Sequence, residues 1–145
     1  MALPETIELQ VVTPERHVLQ ETVDAVEVPG KEGYLGVLPG HAPLITELGV
    51  GTLSYRRGSE THVLAVINGY AEVLPDRVIV LAEVSEKAEE IDVNRTRTAQ
   101  ERAQAELSKA AAGSDEWQRA ELALSRALAR MQAVAKAGMS SGGQH

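Results

Sequence analysis

The stretch GYLGVLPGHAPLITELGVG, residues 33–51, places five glycines, two prolines and one histidine among apolar residues. Glycine and proline at this density predict tight turns between short extended segments. Such loops also occur in active sites, so His41 raises the question of catalysis. The four histidines have no metal-ligand spacing, and the chain has no GxSxG serine and no phosphate-binding glycine loop. We therefore expect no catalytic residue, and we interpret His41 as a structural or contact residue beside a turn.

Composition limits the remaining classes of function. The 145 residues carry a net charge of −7, which argues against general nucleic-acid binding, and no cysteine, which excludes disulfides. No apolar run approaches the roughly 20 residues that cross a bilayer, and the first residues do not resemble a signal peptide. We expect no bound metal, no direct membrane insertion and a soluble cytoplasmic protein.

The composition changes near residue 90. All six prolines lie at or before Pro75, whereas thirteen of the twenty alanines lie at Ala99 or later. Valine with glycine and proline is typical of strands and turns, and alanine with Glu, Gln and Arg is typical of helices. We predict a β + α protein: a small N-terminal β-sandwich or barrel over residues 1–88, an antiparallel two-helix hairpin over 89–137, and a disordered tail over 138–145.

Strand signals recur at short spacing through the first part. TIELQVVT alternates, with Ile7, Leu9 and Val11 on one face, and the next segment places Val26 and Val28 on one face. Two hairpins are predicted, which turn at residues 58–59 and 75–76.

The helical part contains clear end signals. Asp92 is a candidate N-cap for a helix that begins near Val93, Gly113 is a candidate stop, and Ser114 is a candidate cap for the second helix. The predicted seam between the helices consists mostly of alanine, which buries little apolar area and predicts marginal stability. A small docked hairpin and a segment that opens are both compatible with this pattern, and the sequence does not say which conformation the hairpin adopts at rest.

Charge divides at the same place as composition. Residues 1–90 contain six basic and fifteen acidic side chains, whereas residues 91–145 contain eight basic and six acidic ones. The difference fits an ordinary solvated surface, or a hairpin that meets an acidic partner.

Three segments, VPGKEGYLGVLPGHAPLITELGVGTL, INGYAEVLPDRVIVLAE and IDVNRTRTAQERAQAEL, resemble the epsilon subunit of F-type ATP synthase over about residues 5–137. The second motif has two glycines in its commoner form, and here it has Asn68-Gly69, which we expect to affect a turn. The resemblance implies a non-catalytic rotor subunit of a proton-translocating enzyme on the cytoplasmic face of the bacterial plasma membrane. Its implied partners are the gamma subunit, the ring of membrane c subunits and, in an inhibited state, the catalytic beta and alpha subunits. An extended hairpin would inhibit ATP hydrolysis.

The resemblance also implies two sites. Contact with gamma or the ring would lie in residues 34–41. Valine at Gly36 or Gly40 is expected to weaken this contact if either glycine needs positive φ for the turn. The eight residues are Tyr34, Leu35, Gly36, Val37, Leu38, Pro39, Gly40 and His41. No cofactor is expected, but ATP is a possible regulatory ligand of the folded hairpin. Its implied site residues are Glu86, Ile91, Asp92, Arg95, Arg102, Arg126 and Arg130.

The residues themselves support a polyphosphate ligand. Arg126 and Arg130 are four positions apart, so they share one face of the second helix, and guanidinium groups bind phosphate through paired hydrogen bonds. Thr96 replaces the alanine of the family motif and would weaken or abolish binding. The alternative function is a free-standing β-sandwich that binds a small ligand and carries a helical tail.

Overall fold

The computed structural model describes the backbone of residues 3–142 and the side chains of residues 3–139. Seven strands form one hydrogen-bonded sheet in the order β2-β1-β7-β6-β5-β3-β4, in which β1 and β7 are parallel and all other neighbours are antiparallel. The strands are β1 (Ile7–Val12), β2 (His17–Val23), β3 (Ala25–Gly30), β4 (Gly33–Val37), β5 (Leu44–Arg57), β6 (Glu60–Leu74) and β7 (Arg77–Lys87). The sheet folds back so that β2 also contacts β5. The predicted sandwich is confirmed, and its two layers belong to one sheet.

The predicted alternation places the core. Ile7, Leu9 and Val11 are fully buried on β1, and Val26 and Val28 are buried on β3. They join inward side chains of all the other strands in one valine- and leucine-rich cluster. Both predicted hairpin turns are present, because β5 ends at Arg57 and β6 begins at Glu60, and β6 ends at Leu74 and β7 begins at Arg77.

The three long strands bend together at one row of the sheet. Leu48, Gly69 and Ala82 are cross-strand partners on one side of the bend, and Val50, Ile67 and Val84 are partners on the other. Each strand has one residue between these rows, namely Gly49, Asn68 or Glu83. The register is the same on both sides, but the positions of β6 that face the core change at Asn68, from Leu64 and Val66 before the bend to Ala71 and Val73 after it. The bend therefore carries the strands from one layer into the other without exposing the core.

Asn68 and Gly69 lie at this bend inside β6. The expectation that this motif belongs to a turn is therefore wrong, because the strand continues through both residues. Asn68 has φ of 56° and Gly69 has φ of 128°. Asparagine tolerates the left-handed region better than most residues, so it can replace the first glycine of the commoner motif. Gly69 has no such substitute, because a Cβ there would collide with the Leu81 carbonyl oxygen and lie 2.8 Å from the Ala82 Cα.

A 3-10 turn, Ala88–Glu90, leads into helices α1 (Val93–Lys109) and α2 (Asp115–Gly142). The predicted N-caps are confirmed: the Arg95 N–H donates to Asp92 Oδ1 at 3.1 Å, and the Trp117 N–H donates to Ser114 Oγ at 3.2 Å.

Two predicted helix ends differ from the structure. Helix α1 ends at Lys109 because Ala110 turns the chain into an extended conformation, with φ −78° and ψ 147°. Gly113, with φ of 82°, therefore lies in the linker and does not stop the helix. Helix α2 continues through residues 138–142, where a disordered tail was expected, since no proline interrupts it and an existing helix extends readily. Residues 143–145 lie outside the described residues.

The hairpin is folded against the sandwich. Ala103, Ala120 and Ala127 are buried between the helices, as expected for an alanine seam. A second face of α2, which includes Ala133, covers Val63 and Ala65 on the outer side of β6. Alanine provides most of both contacts, so each buries little apolar area.

Candidate functional site

The contact segment, residues 34–41, divides into two parts. Tyr34, Leu35, Gly36 and Val37 lie on the edge strand β4, and Leu38, Pro39, Gly40 and His41 form the connection to β5. Val37 is buried in the core, whereas Tyr34 and Leu38 are 51% and 62% exposed. Only part of the predicted segment can therefore meet a partner.

The two glycines of this segment have different roles. Gly40 has φ of 87°, and its N–H donates to the Pro75 carbonyl at 2.8 Å, so the condition of positive φ is met at Gly40. Gly36 is absent from the positive-φ glycines of the described chain, and nothing lies within 4 Å of a Cβ placed on it. Of the two glycines, Gly36 therefore does not meet the condition of positive φ, because β4 remains extended at this residue.

An exposed apolar patch adjoins this segment and was not predicted. It consists of Ile45, Tyr70 and Leu81, which are 72%, 55% and 56% exposed. Tyr70 and Leu81 are cross-strand partners, and Ile45 pairs with Glu72 on the same outward face. The sequence could have revealed this patch through large apolar residues at strand positions that alternate with the buried ones. This pattern was not recognised because the inward positions of β6 change from even to odd numbers at Asn68, so Tyr70 points outward.

The predicted ATP residues converge on a cleft between α1, α2 and the end of β7. The cleft has a volume of about 500 Å³, within the range of small-molecule sites. Five of the seven predicted residues line it: Glu86, Asp92, Arg95, Arg126 and Arg130. The other two, Ile91 and Arg102, are outside the lining. Ile91 is buried in the contact between α2 and the sheet. Arg102 is exposed on α1, about two helical turns after Arg95.

Ion pairs cross the cleft and its rim. Arg130 Nε donates to Glu86 Oε1 at 2.5 Å, which connects α2 to β7. Glu90 lines the cleft and accepts a hydrogen bond of 2.6 Å from Arg16, which follows β1. This hydrogen bond to Glu90 is the main cause of the raised pKa of Arg16. In the described side chains, Arg95 and Arg126 belong to no ion pair, so two guanidinium groups of the cleft are available to an anion.

Thr96 also lines the cleft and is buried. Its hydroxyl donates to the Asp92 carbonyl at 2.8 Å. The hydroxyl is therefore already hydrogen-bonded and needs no partner from a ligand. Compared with alanine, Thr96 affects the cleft through the volume of its side chain. Sequence reasoning did not include Glu90 or Arg16 in the site, because their pairing spans 74 positions of the chain.

These features define a two-part assembly module: a β-sandwich with an outward apolar patch, and a helical hairpin that covers another part of the same sheet. None of the helices described within residues 3–142 is long and apolar enough to cross a membrane.

Comparison with known proteins identifies the family. Residues 6–88 match the beta-sandwich domain of the ATP synthase delta/epsilon chain, and residues 89–135 match the long alpha-helix domain of the same chain. The chain belongs to this ATP synthase delta/epsilon family, as an epsilon chain of the central stalk, and is a non-catalytic subunit. This assignment replaces the alternative of a free-standing ligand-binding module.

Individual relatives agree with the family assignment. The chain is 52% identical to an ATP synthase epsilon chain of Solibacter usitatus over 78% of this chain and 84% of that protein. It is 48% identical to one of Syntrophobacter fumaroxidans over 92% and 99%. A chain in the Euglena gracilis mitochondrial ATP synthase structure, titled OSCP/F1/c-ring, matches with a TM-score of 0.80 and 25% identity, over 92% of this chain and 84% of that chain. A chain from the Tetrahymena thermophila central stalk structure shares the fold, with a TM-score of 0.57, 14% identity and coverage of 92% and 99%.

Proposed function

We propose that this chain attaches to the gamma subunit and the c ring at the cytoplasmic face of the bacterial plasma membrane, and that it couples ring rotation to ATP synthesis. The exposed apolar patch carries this proposal. Three large apolar side chains on one outward face are typical of an interface core, and the folded hairpin covers a different part of the sheet. In this arrangement the patch binds gamma, and the adjoining exposed Leu38 contacts gamma or the ring.

Tyr70→Glu is expected to weaken binding to the gamma subunit at least tenfold. The change places a charge at the centre of the patch, and loss of a buried aromatic anchor costs about 2 kcal/mol or more in an interface. Titration of the purified chain with gamma, followed by calorimetry, would measure the effect. Gln20→Glu adds the same charge at an exposed position of β2 and serves as the matched control. If both variants bind gamma with equal affinity, the patch is not part of the interface.

The hairpin supplies the proposed regulation. In the folded state, the hairpin covers Val63 and Ala65, and most of its side chains in this contact are alanines. A contact with so little apolar area opens at a modest free-energy cost. We propose that the extended hairpin contacts the catalytic beta and alpha subunits and inhibits ATP hydrolysis.

ATP is the proposed ligand of the folded hairpin. The cleft holds three arginines, of which Arg95 and Arg126 are outside the ion pairs of the described chain, while Arg130 would exchange Glu86 for phosphate. A polyphosphate there would bridge α1, α2 and β7, and would therefore favour the folded hairpin by binding it preferentially. Thr96 narrows the cleft, so we expect an affinity in the micromolar to millimolar range, about −8 to −4 kcal/mol.

Arg126→Ala is expected to lower the affinity for ATP about tenfold or more, because one charge-assisted hydrogen bond contributes roughly 1.5–3 kcal/mol. Isothermal calorimetry on the isolated full chain would measure it. Arg119→Ala is the control, since Arg119 is exposed on the same helix and pairs only weakly with Glu116, at 4.0 Å. No heat from the natural chain at several millimolar ATP would exclude the ligand. Unchanged binding in Arg126→Ala and Arg130→Ala would place the ligand elsewhere.

A further inference from the structure

The last turns of α2 make one side-chain hydrogen bond to the sandwich among the described residues, through Lys136. Lys136 Nζ donates a hydrogen bond of 2.7 Å to Thr52 Oγ1 on β5. The same ammonium group lies 5.2 Å from the centre of the Tyr34 ring on β4, within the range of a cation–π interaction. One side chain of the hairpin therefore touches both a central strand and the edge strand of the contact segment.

Tyr34 is held in this position by the sheet itself. Its hydroxyl accepts a hydrogen bond of 3.2 Å from the Thr52 N–H, so the ring reaches from β4 to β5 over β3. Gly51 makes this possible, because a Cβ there would lie 2.8 Å from the Tyr34 hydroxyl and 2.9 Å from Pro29 Cβ. The outer part of the ring stays available, since Tyr34 is 51% exposed.

The polar contact matters because the surrounding apolar contact is small. Near Lys136, α2 presents Ala133, Val134 and Ala137 to the sheet, and these side chains bury little area. Among the described side chains, the polar contacts between α2 and the sheet are Lys136 with Thr52 and Arg130 with Glu86. Loss of one of the two should therefore loosen the end of the helix measurably.

We propose that Tyr34, Thr52 and Lys136 form a latch that couples the docking of α2 to the orientation of the Tyr34 side chain. The coupling is reciprocal. Release of α2 removes the cation from the Tyr34 ring, and any partner that turns this ring away from Thr52 lowers the free energy needed to release α2. Tyr34 thus connects the state of the regulatory hairpin to the contact segment. The latch consists only of contacts within the chain, so it can be tested without any partner.

Lys136→Met tests the latch in the isolated full chain. Hydrogen exchange of the peptide that covers residues 129–139 is expected to accelerate at least about threefold, because the helix end opens more often. Lys136→Arg should retain most of the protection, since the charge and donor remain. Lys109→Met removes the same charge at the end of α1, away from the sheet, and should leave this peptide unchanged.

Two further measurements separate a latch from a local packing effect. The chain has three tyrosines, and Lys136→Met is expected to shift the aromatic NMR signals of Tyr34 but not those of Tyr70. Tyr34→Leu should accelerate exchange in the same peptide, and the double variant should exchange no faster than the faster single variant. Unchanged exchange in either single variant, or strictly additive effects, would overturn the coupling. A well-dispersed amide spectrum would show that each variant is folded.

Discussion

Gly69→Val is expected to lower the free energy of unfolding by more than about 3 kcal/mol or to prevent folding. A valine at φ of 128° is strained in itself, and its Cβ would collide with the Leu81 carbonyl oxygen on β7. The strand cannot relax by straightening. The positive φ angles of Asn68 and Gly69 accompany a change of inward positions, from Leu64 and Val66 on one side of the bend to Ala71 and Val73 on the other. A regular extended strand would therefore turn the apolar residues of one layer outward.

Urea unfolding followed by circular dichroism would measure this loss. Gly36→Val is the matched control, because Gly36 lies in extended backbone and nothing lies within 4 Å of a Cβ placed there. Asn68→Gly should change the free energy of unfolding by less than about 1 kcal/mol, since glycine adopts the left-handed conformation that Asn68 already has. A Gly69→Val chain as stable as the Gly36→Val chain would contradict the structural role given to the bend.

Local patterns predicted the strands and caps well, because each depends on a few neighbouring residues. The alternation of Ile7, Leu9 and Val11 and the cap at Asp92 are signals of this kind. The bend at Asn68 was missed because it involves three neighbouring strands, which all change direction at the same row of the sheet. The Asn68-Gly69 pair resembles a turn in the sequence until the neighbouring strands are known.

The cleft shows the same limit. Spacing along one helix could place Arg126 and Arg130 on a common face, and the structure brings them to one cleft. The pairing of Arg130 with Glu86 connects residues 44 positions apart, which periodicity does not reveal. The alanines of α2 add a further difficulty, because they lie on both of its buried faces, one against α1 and one against the sheet. The sequence pattern indicated only the seam with α1.

A chain that ends at Ala88 is expected to keep a folded sandwich and to release the assembled ATP synthase from inhibition of ATP hydrolysis. The core cluster of the sandwich ends at Ala82, so removal of both helices leaves it complete. The shortened chain loses the cover over Val63 and Ala65 and the ion pairs of Glu86 and Glu90, which lowers its free energy of unfolding by roughly 1–3 kcal/mol. The apolar patch and the contact segment remain, so binding to gamma should persist.

The increase in hydrolysis is the stronger test, because it separates regulation from attachment. We expect a severalfold higher rate in complexes that contain the shortened chain, at equal content of the chain and of gamma, since the segment proposed to reach the catalytic subunits is gone. A chain that ends at Met139 is the control, because it retains Lys136 and both packed faces of α2 and should hydrolyse ATP at the natural rate. An unchanged rate in a fully assembled complex with the shorter chain would contradict inhibition by the hairpin and leave attachment as the proposed function. Loss of the chain from the complex would instead show that the helices take part in attachment, and would contradict the division into a sandwich that binds and a hairpin that regulates.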